Sequence, residues 1–62
     1  MNAFKRMREA NNLTQEQLAN KLHISQQAVT KWENGYSLPR GATLIKLSKI
    51  FGCTLDELVN DK

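Results

Sequence analysis

The sequence is poor in the residues that most often carry chemistry. It holds one cysteine, one histidine, one proline and four aromatic side chains. A lone Cys53 forms no internal disulfide, whereas small secreted domains are usually stapled by several, so the chain reads as cytoplasmic. Cys53 and His23 lie thirty positions apart and do not make a tetrahedral zinc site. No metal or other cofactor is expected. No apolar run approaches the roughly 20 residues that span a bilayer, and no signal peptide opens the chain. Catalysis would require a nucleophile beside a base, paired carboxylates in a cleft, or a metal. His23 and Cys53 have no evident partners, and Asp56 and Glu57 are adjacent rather than facing, so an enzyme is not expected.

What is present suits one small helical domain. Glycine and proline together number only four, and hydrophobic residues make up 40%, which excludes collagen-like and disordered chains. For 62 residues and 7.1 kDa, surface scaling gives about 4,000 Å² folded against roughly 10,000 Å² unfolded. That burial is near the lower limit for unaided folding and leaves little room for a large cavity. The net charge is +3 and unevenly placed. Residues 1–31 carry Lys5, Arg6, Arg8, Lys21 and Lys31 against Glu9 and Glu16, while residues 32–62 carry four charges of each sign. A basic half fits a polyanionic partner such as nucleic acid, or a solubilising surplus.

Helical spacing recurs throughout and no segment alternates like a strand. Phe4, Met7, Arg8 and Asn11 form one stripe; Gln15, Leu18, Ala19 and Leu22 a second; Ser25, Ala28, Val29 and Trp32 a third. Leu44, Leu47, Ile50 and Phe51 form a fourth, and Leu55, Leu58 and Val59 a fifth whose three residues are expected in the core. Stop and start signals separate them. Asn11-Asn12 suits a helix C-terminus; Thr14 with Gln17, Ser25, and Thr54 with Glu57 suit N-termini. Asn34-Gly35 and Gly52 suit helix ends, and Pro39 blocks upward extension of the fourth helix. The expected architecture is all-α, one domain over residues 1–62, with five helices. Its second and third helices span about residues 15–22 and 26–34. Only His23 and Ile24 lie between Leu22 and Ser25, a link short enough to fix a steep helix-turn-helix angle.

The third helix divides into two faces. At about 100° per residue, Gln26, Thr30, Asn34, Gln27 and Lys31 fall within roughly 140°. Ala28, Trp32 and Val29 fall in an opposed arc of about 200° to 300°. The apolar arc is core, and Trp32 is expected to pack there rather than stack on a base. The polar arc is rich in hydrogen-bonding groups and low in charge, unlike a Glu/Lys solvent face. Gln and Asn match adenine edges, Lys matches guanine or phosphate, and Thr matches a thymine methyl. A plain solvent face is the alternative.

The run Leu13-Thr14-Gln15-Glu16-Gln17-Leu18-Ala19, then Leu22 to Gly35, Leu38-Pro39, Leu44-Ile45-Lys46-Leu47 and Gly52 to Leu58, resembles the Cro/C1-type helix-turn-helix family. The likeness covers roughly residues 3–60 and is similar to lambdoid phage repressors. It implies a lambda-repressor-like fold whose third helix enters the major groove of double-stranded DNA. By this resemblance Gln26, Gln27 and Lys31 would contact bases, with Thr30 a weaker candidate. Gln15, Ser25, Asn34 and Arg40 would contact phosphates, Gln15 through side chain and backbone N–H. Arg8 and Glu33 would form a structural salt bridge between the first and third helices. His23 and Asn12 stand where the family favours glycine; His23 is expected to be a strained turn residue, while Asn is the usual second choice at a helix end. The implied function is a transcriptional regulator, in particular a repressor that binds a two-half-site operator as a homodimer. The alternative on the same fold is a protein-interaction module, such as an antitoxin or an adaptor. A further protein partner or an effector domain outside these residues stays open.

Overall fold

The computed structural model describes residues 3–59, and all five helices fall within them. They are α1 (Ala3–Ala10), α2 (Gln15–Leu22), α3 (Gln26–Glu33), α4 (Gly41–Phe51) and α5 (Leu55–Val59). No strand occurs among the described residues. Met1 and the two ends of the 1–62 span lie outside them. The chain exposes 4224 Å², close to the surface expected of its mass.

Capping sets the helix starts. Thr14 Oγ1 accepts from Gln17 N–H at 3.0 Å, and Gln17 Oε1 accepts from Thr14 N–H at 2.9 Å. This reciprocal box satisfies donors that the first turn of α2 leaves unpaired. Thr54 and Glu57 repeat it at α5, at 3.1 and 3.2 Å. Ser25 Oγ accepts from Ala28 N–H at the start of α3.

The helix ends share one device. After α1, Leu13 N–H reaches back to the Arg8 carbonyl and Asn12 N–H to that of Glu9. After α2, Ile24 N–H reaches Ala19 and His23 N–H reaches Asn20; after α3, Tyr36 reaches Lys31 and Gly35 reaches Trp32. After α4, Cys53 N–H reaches Ser48. Such closures turn the chain through a left-handed residue, here Asn12 (φ 59°), His23 (φ 58°), Gly35 (φ 78°) and Gly52 (φ 67°). The first two carry a Cβ in that region, which costs about 1 kcal/mol where glycine would cost little. The residue after each closure usually packs back on the helix. Leu13, Ile24 and Cys53 do so against the core, whereas Tyr36 is 80% exposed.

One core joins the elements. Phe4 of α1, Leu18, Ala19 and Leu22 of α2, Val29 and Trp32 of α3, Leu47 and Phe51 of α4, and Leu58 of α5 form it. Leu18, Val29 and Leu47 are fully enclosed. The Trp32 and Phe4 rings lie 6.1 Å apart and tilted by 45°, so Trp32 is a core residue. One expectation is corrected at the C-terminal end: Leu55 and Val59 are 43% and 44% exposed, and only Leu58 of that stripe is buried. Helix α5 has five residues and packs on α1 and α4, and of its apolar stripe only Leu58 is enclosed there.

Candidate nucleic-acid interface

Helix α3 is held by one face and free on the other. Val29 and Trp32 are buried and Ala28 is half-buried. Gln26, Gln27, Lys31 and Asn34 are exposed. The fold separates the two arcs read from the sequence except at Thr30, which belongs to the polar arc yet is half-buried. Helix α2 packs on α3 across a junction of three residues, His23 to Ser25. The left-handed His23 (φ 58°, ψ 43°) makes the turn, and the extended Ser25 starts the next helix. The Ser25 oxygen is used in capping, but its hydroxyl proton stays available for donation to an anion. Arg40 is exposed at the N-cap position of α4 and makes no side-chain capping bond.

An ion pair anchors α3 to α1. Arg8 Nε donates to Glu33 Oε2 at 2.6 Å, and Arg8 Nη2 donates to Glu33 Oε1 at 3.1 Å. A third donor, Nη1, reaches the Leu13 carbonyl at 2.8 Å. The two side chains keep only 10% and 4% of their exposure. The Glu33 hydrogen bond raises the Arg8 pKa further above its already high range, and burial opposes this only in part. Arg8 is thus a permanent cation facing an acceptor in fork geometry.

Gln15 and Thr30 extend this pair into a network that sequence reading missed. Gln15 Nε2 donates to Glu33 Oε1 at 3.0 Å, and Gln15 Oε1 accepts from the Thr30 hydroxyl at 2.8 Å. Both ends of the Gln15 amide are engaged within the protein. Its backbone N–H remains one of the first-turn donors of α2 that have no intrahelical acceptor. Thr30 is half-buried, and the Gln26 carbonyl, 3.2 Å from its hydroxyl, is the alternative acceptor for the same proton. No local pattern could have flagged these bonds, since they join residues 15 and 18 positions apart. Exposed Tyr36 and Leu38, at 80% and 68%, also flank the end of α3 and carried no signal beyond the helix-closing pattern that Tyr36 breaks.

Among the described residues, no group of three or more His, Cys, Asp or Glu side chains could hold a metal ion. No helix there is long and apolar enough to cross a membrane. A short capped turn, a helix locked by its inner face, and an exposed row of amides and an amine define a helix-turn-helix protein. The chain belongs to the Cro/C1-type helix-turn-helix family of DNA-binding domains, whose helix-turn-helix model matches residues 4–58. It is 45% identical over 57 residues to the HTH-type transcriptional activator BcrR of Enterococcus faecalis, covering 92% of this chain and 28% of that protein. It is 37% identical over 57 residues to MJ0272, an uncharacterized HTH-type transcriptional regulator of Methanocaldococcus jannaschii, covering 92% and 86%. With the HTH-type transcriptional regulator DicA of Escherichia coli it shares 46% over 41 residues, covering 66% of this chain and 30% of DicA. The chain thus spans under a third of BcrR and DicA but most of MJ0272. No solved structure matches it significantly.

Proposed function

We propose that the chain is a sequence-specific DNA-binding domain of a transcriptional regulator, inserting α3 into the major groove. The observation that carries this is the exposed row Gln26, Gln27 and Lys31 on a helix whose other face is locked into the core. Gln26 and Gln27 read base edges from the first turn of α3, each able to bond adenine through both amide atoms. Lys31, one turn on, adds a base or adjacent phosphate contact. Thr30 is the weaker candidate, because its hydroxyl is turned to Gln15 and only its methyl is left for a thymine. The Gln15 backbone N–H, at the positive end of the α2 dipole, takes one phosphate. Ser25, Asn34 and Arg40 take others, and such contacts set register without reading sequence.

Two copies bind half-sites about one helical turn apart, so that the operator mirrors the symmetry of the pair. Leu55 and Val59, four residues apart on one exposed face of α5, are apolar residues available for that pairing. Where the operator overlaps a promoter, occupancy excludes the polymerase and the outcome is repression. The name of BcrR as an activator favours a second outcome, in which the bound domain supports transcription from a neighbouring promoter. This reading places the protein with the DNA in the cytoplasm. The test is a titration on operator DNA. Gln26→Ala or Gln27→Ala should each cost about 1–3 kcal/mol and relax preference at one base pair. Absence of DNA affinity even at low salt would overturn the proposal.

A further inference from the structure

We infer that Gln15 and Thr30 form a positioning relay that sets the rotation of α3, and through it the base preference of Gln26 and Gln27. The inference rests on the DNA-reading function proposed above. Glu33 is held as an acceptor by the Arg8 fork, at 2.6 and 3.1 Å. A carboxylate only accepts, so the Gln15 amide must present Nε2 to it, as it does at 3.0 Å. Reversing the amide would set Oε1 against the carboxylate. With Nε2 committed, Oε1 faces α3 and requires a donor. The Thr30 hydroxyl supplies it at 2.8 Å, in preference to the longer 3.2 Å bond to its own helix at the Gln26 carbonyl.

Each link therefore dictates the polarity of the next, from Arg8 through Glu33 and Gln15 to Thr30. The geometry gives the relay its effect. Thr30 and Glu33 are three residues apart and lie on one side of α3. Both are bonded to a single side chain at the start of α2, so α3 is pinned at two points. A helix held only by apolar contacts can rotate slightly on its axis. Two directional bonds to one amide remove that freedom. Gln26 lies one turn before Thr30, so any rotation at Thr30 is carried directly to the reading residues.

Thr30→Val and Thr30→Ser separate this role from simple packing. Valine keeps the shape and the methyl group but removes the hydroxyl; serine keeps the hydroxyl and removes a methyl. The readout is preference at the base pairs where Gln26→Ala or Gln27→Ala abolishes it, measured by titrating matched and single-mismatch operators. Thr30→Val should reduce that preference about three- to tenfold, the worth of one ordinary hydrogen bond. Thr30→Ser should retain it, and Gln15→Met should behave like Thr30→Val. A second measurement uses the free protein: the Gln15 side-chain amide signals in a nitrogen–proton spectrum should move in Thr30→Val and stay in Thr30→Ser. Undiminished preference in Thr30→Val, equal losses in Val and Ser, or weakening that is uniform over all DNA would overturn the relay, as would unmoved amide signals in Thr30→Val. Wild-type protein without base preference would overturn the DNA-reading function and the relay together, so the two failures are distinguishable.

Discussion

Removing Arg8 is predicted to cost this domain most of its stability. In Arg8→Met the Glu33 carboxylate, 4% exposed, loses both guanidinium contacts and keeps only the Gln15 amide. Breaking a buried pair on one side costs about 3–5 kcal/mol, because the remaining charge is left without compensation. The Leu13 carbonyl also loses its 2.8 Å donor, worth up to about 1 kcal/mol at a half-buried site. At about 0.05–0.15 kcal/mol per residue, the domain has roughly 3–9 kcal/mol in all. The variant should therefore sit near its unfolding threshold, with the midpoint lowered by about 15 °C or more. Glu33→Met should cost less, since the long Arg8 side chain still bonds Leu13 and can extend toward water. Arg8→Met combined with Glu33→Met buries no charge and should recover part of the loss, giving a coupling of about 2–3 kcal/mol. Urea denaturation at constant m value measures all three. Losses below about 1 kcal/mol in both single variants, the range of an exposed surface pair, would show that Arg8 and Glu33 do not act as a buried pair.

His23→Gly should stabilise the fold by about 0.5–1 kcal/mol, because φ 58° is costly with a Cβ; a thermal melt that is unchanged or lower would count against it. Burial, aided by the negative charge of Glu57, raises the Cys53 thiol pKa. Alkylation of Cys53 near neutral pH should thus be slower in the folded protein than in urea. Because the folded state holds this proton more tightly than the unfolded one, the contribution to stability is full below the ordinary thiol range. It is lost as pH rises through the folded pKa. Arg40→Ala should weaken binding alike on all DNA sequences and make the slope of log affinity against log salt shallower by about one.

The helices were legible because their ends are written in local chemistry. Thr14 with Gln17, Ser25, and Thr54 with Glu57 cap where their side chains suggest, and Asn12, Gly35 and Gly52 close helices as their tolerance of positive φ suggests. The two faces of α3 follow from its 3.6-residue period. The Arg8–Glu33 pair came from family likeness rather than from spacing, and the geometry realises it. What stayed hidden depends on tertiary placement. The bonds of Gln15 to Thr30 and Glu33 exist only because α2 and α3 meet at one distance. Leu55 and Val59 kept core-like spacing, yet α5 is short and buries only Leu58 of its stripe. Tyr36 occupies a position that folds inward after α1, α2 and α4 but points outward after α3, beside the candidate interface.

Whether the exposed face of α3 reads DNA sequence is measured by selecting bound duplexes from a random pool. The selected duplexes should be enriched in a two-fold symmetric site with half-sites about one helical turn apart. Gln26→Ala and Gln27→Ala should each relax the selected sequence at one position per half-site. A pool that stays random after selection, or a motif that both alanine variants leave unchanged, would show that this face does not read sequence.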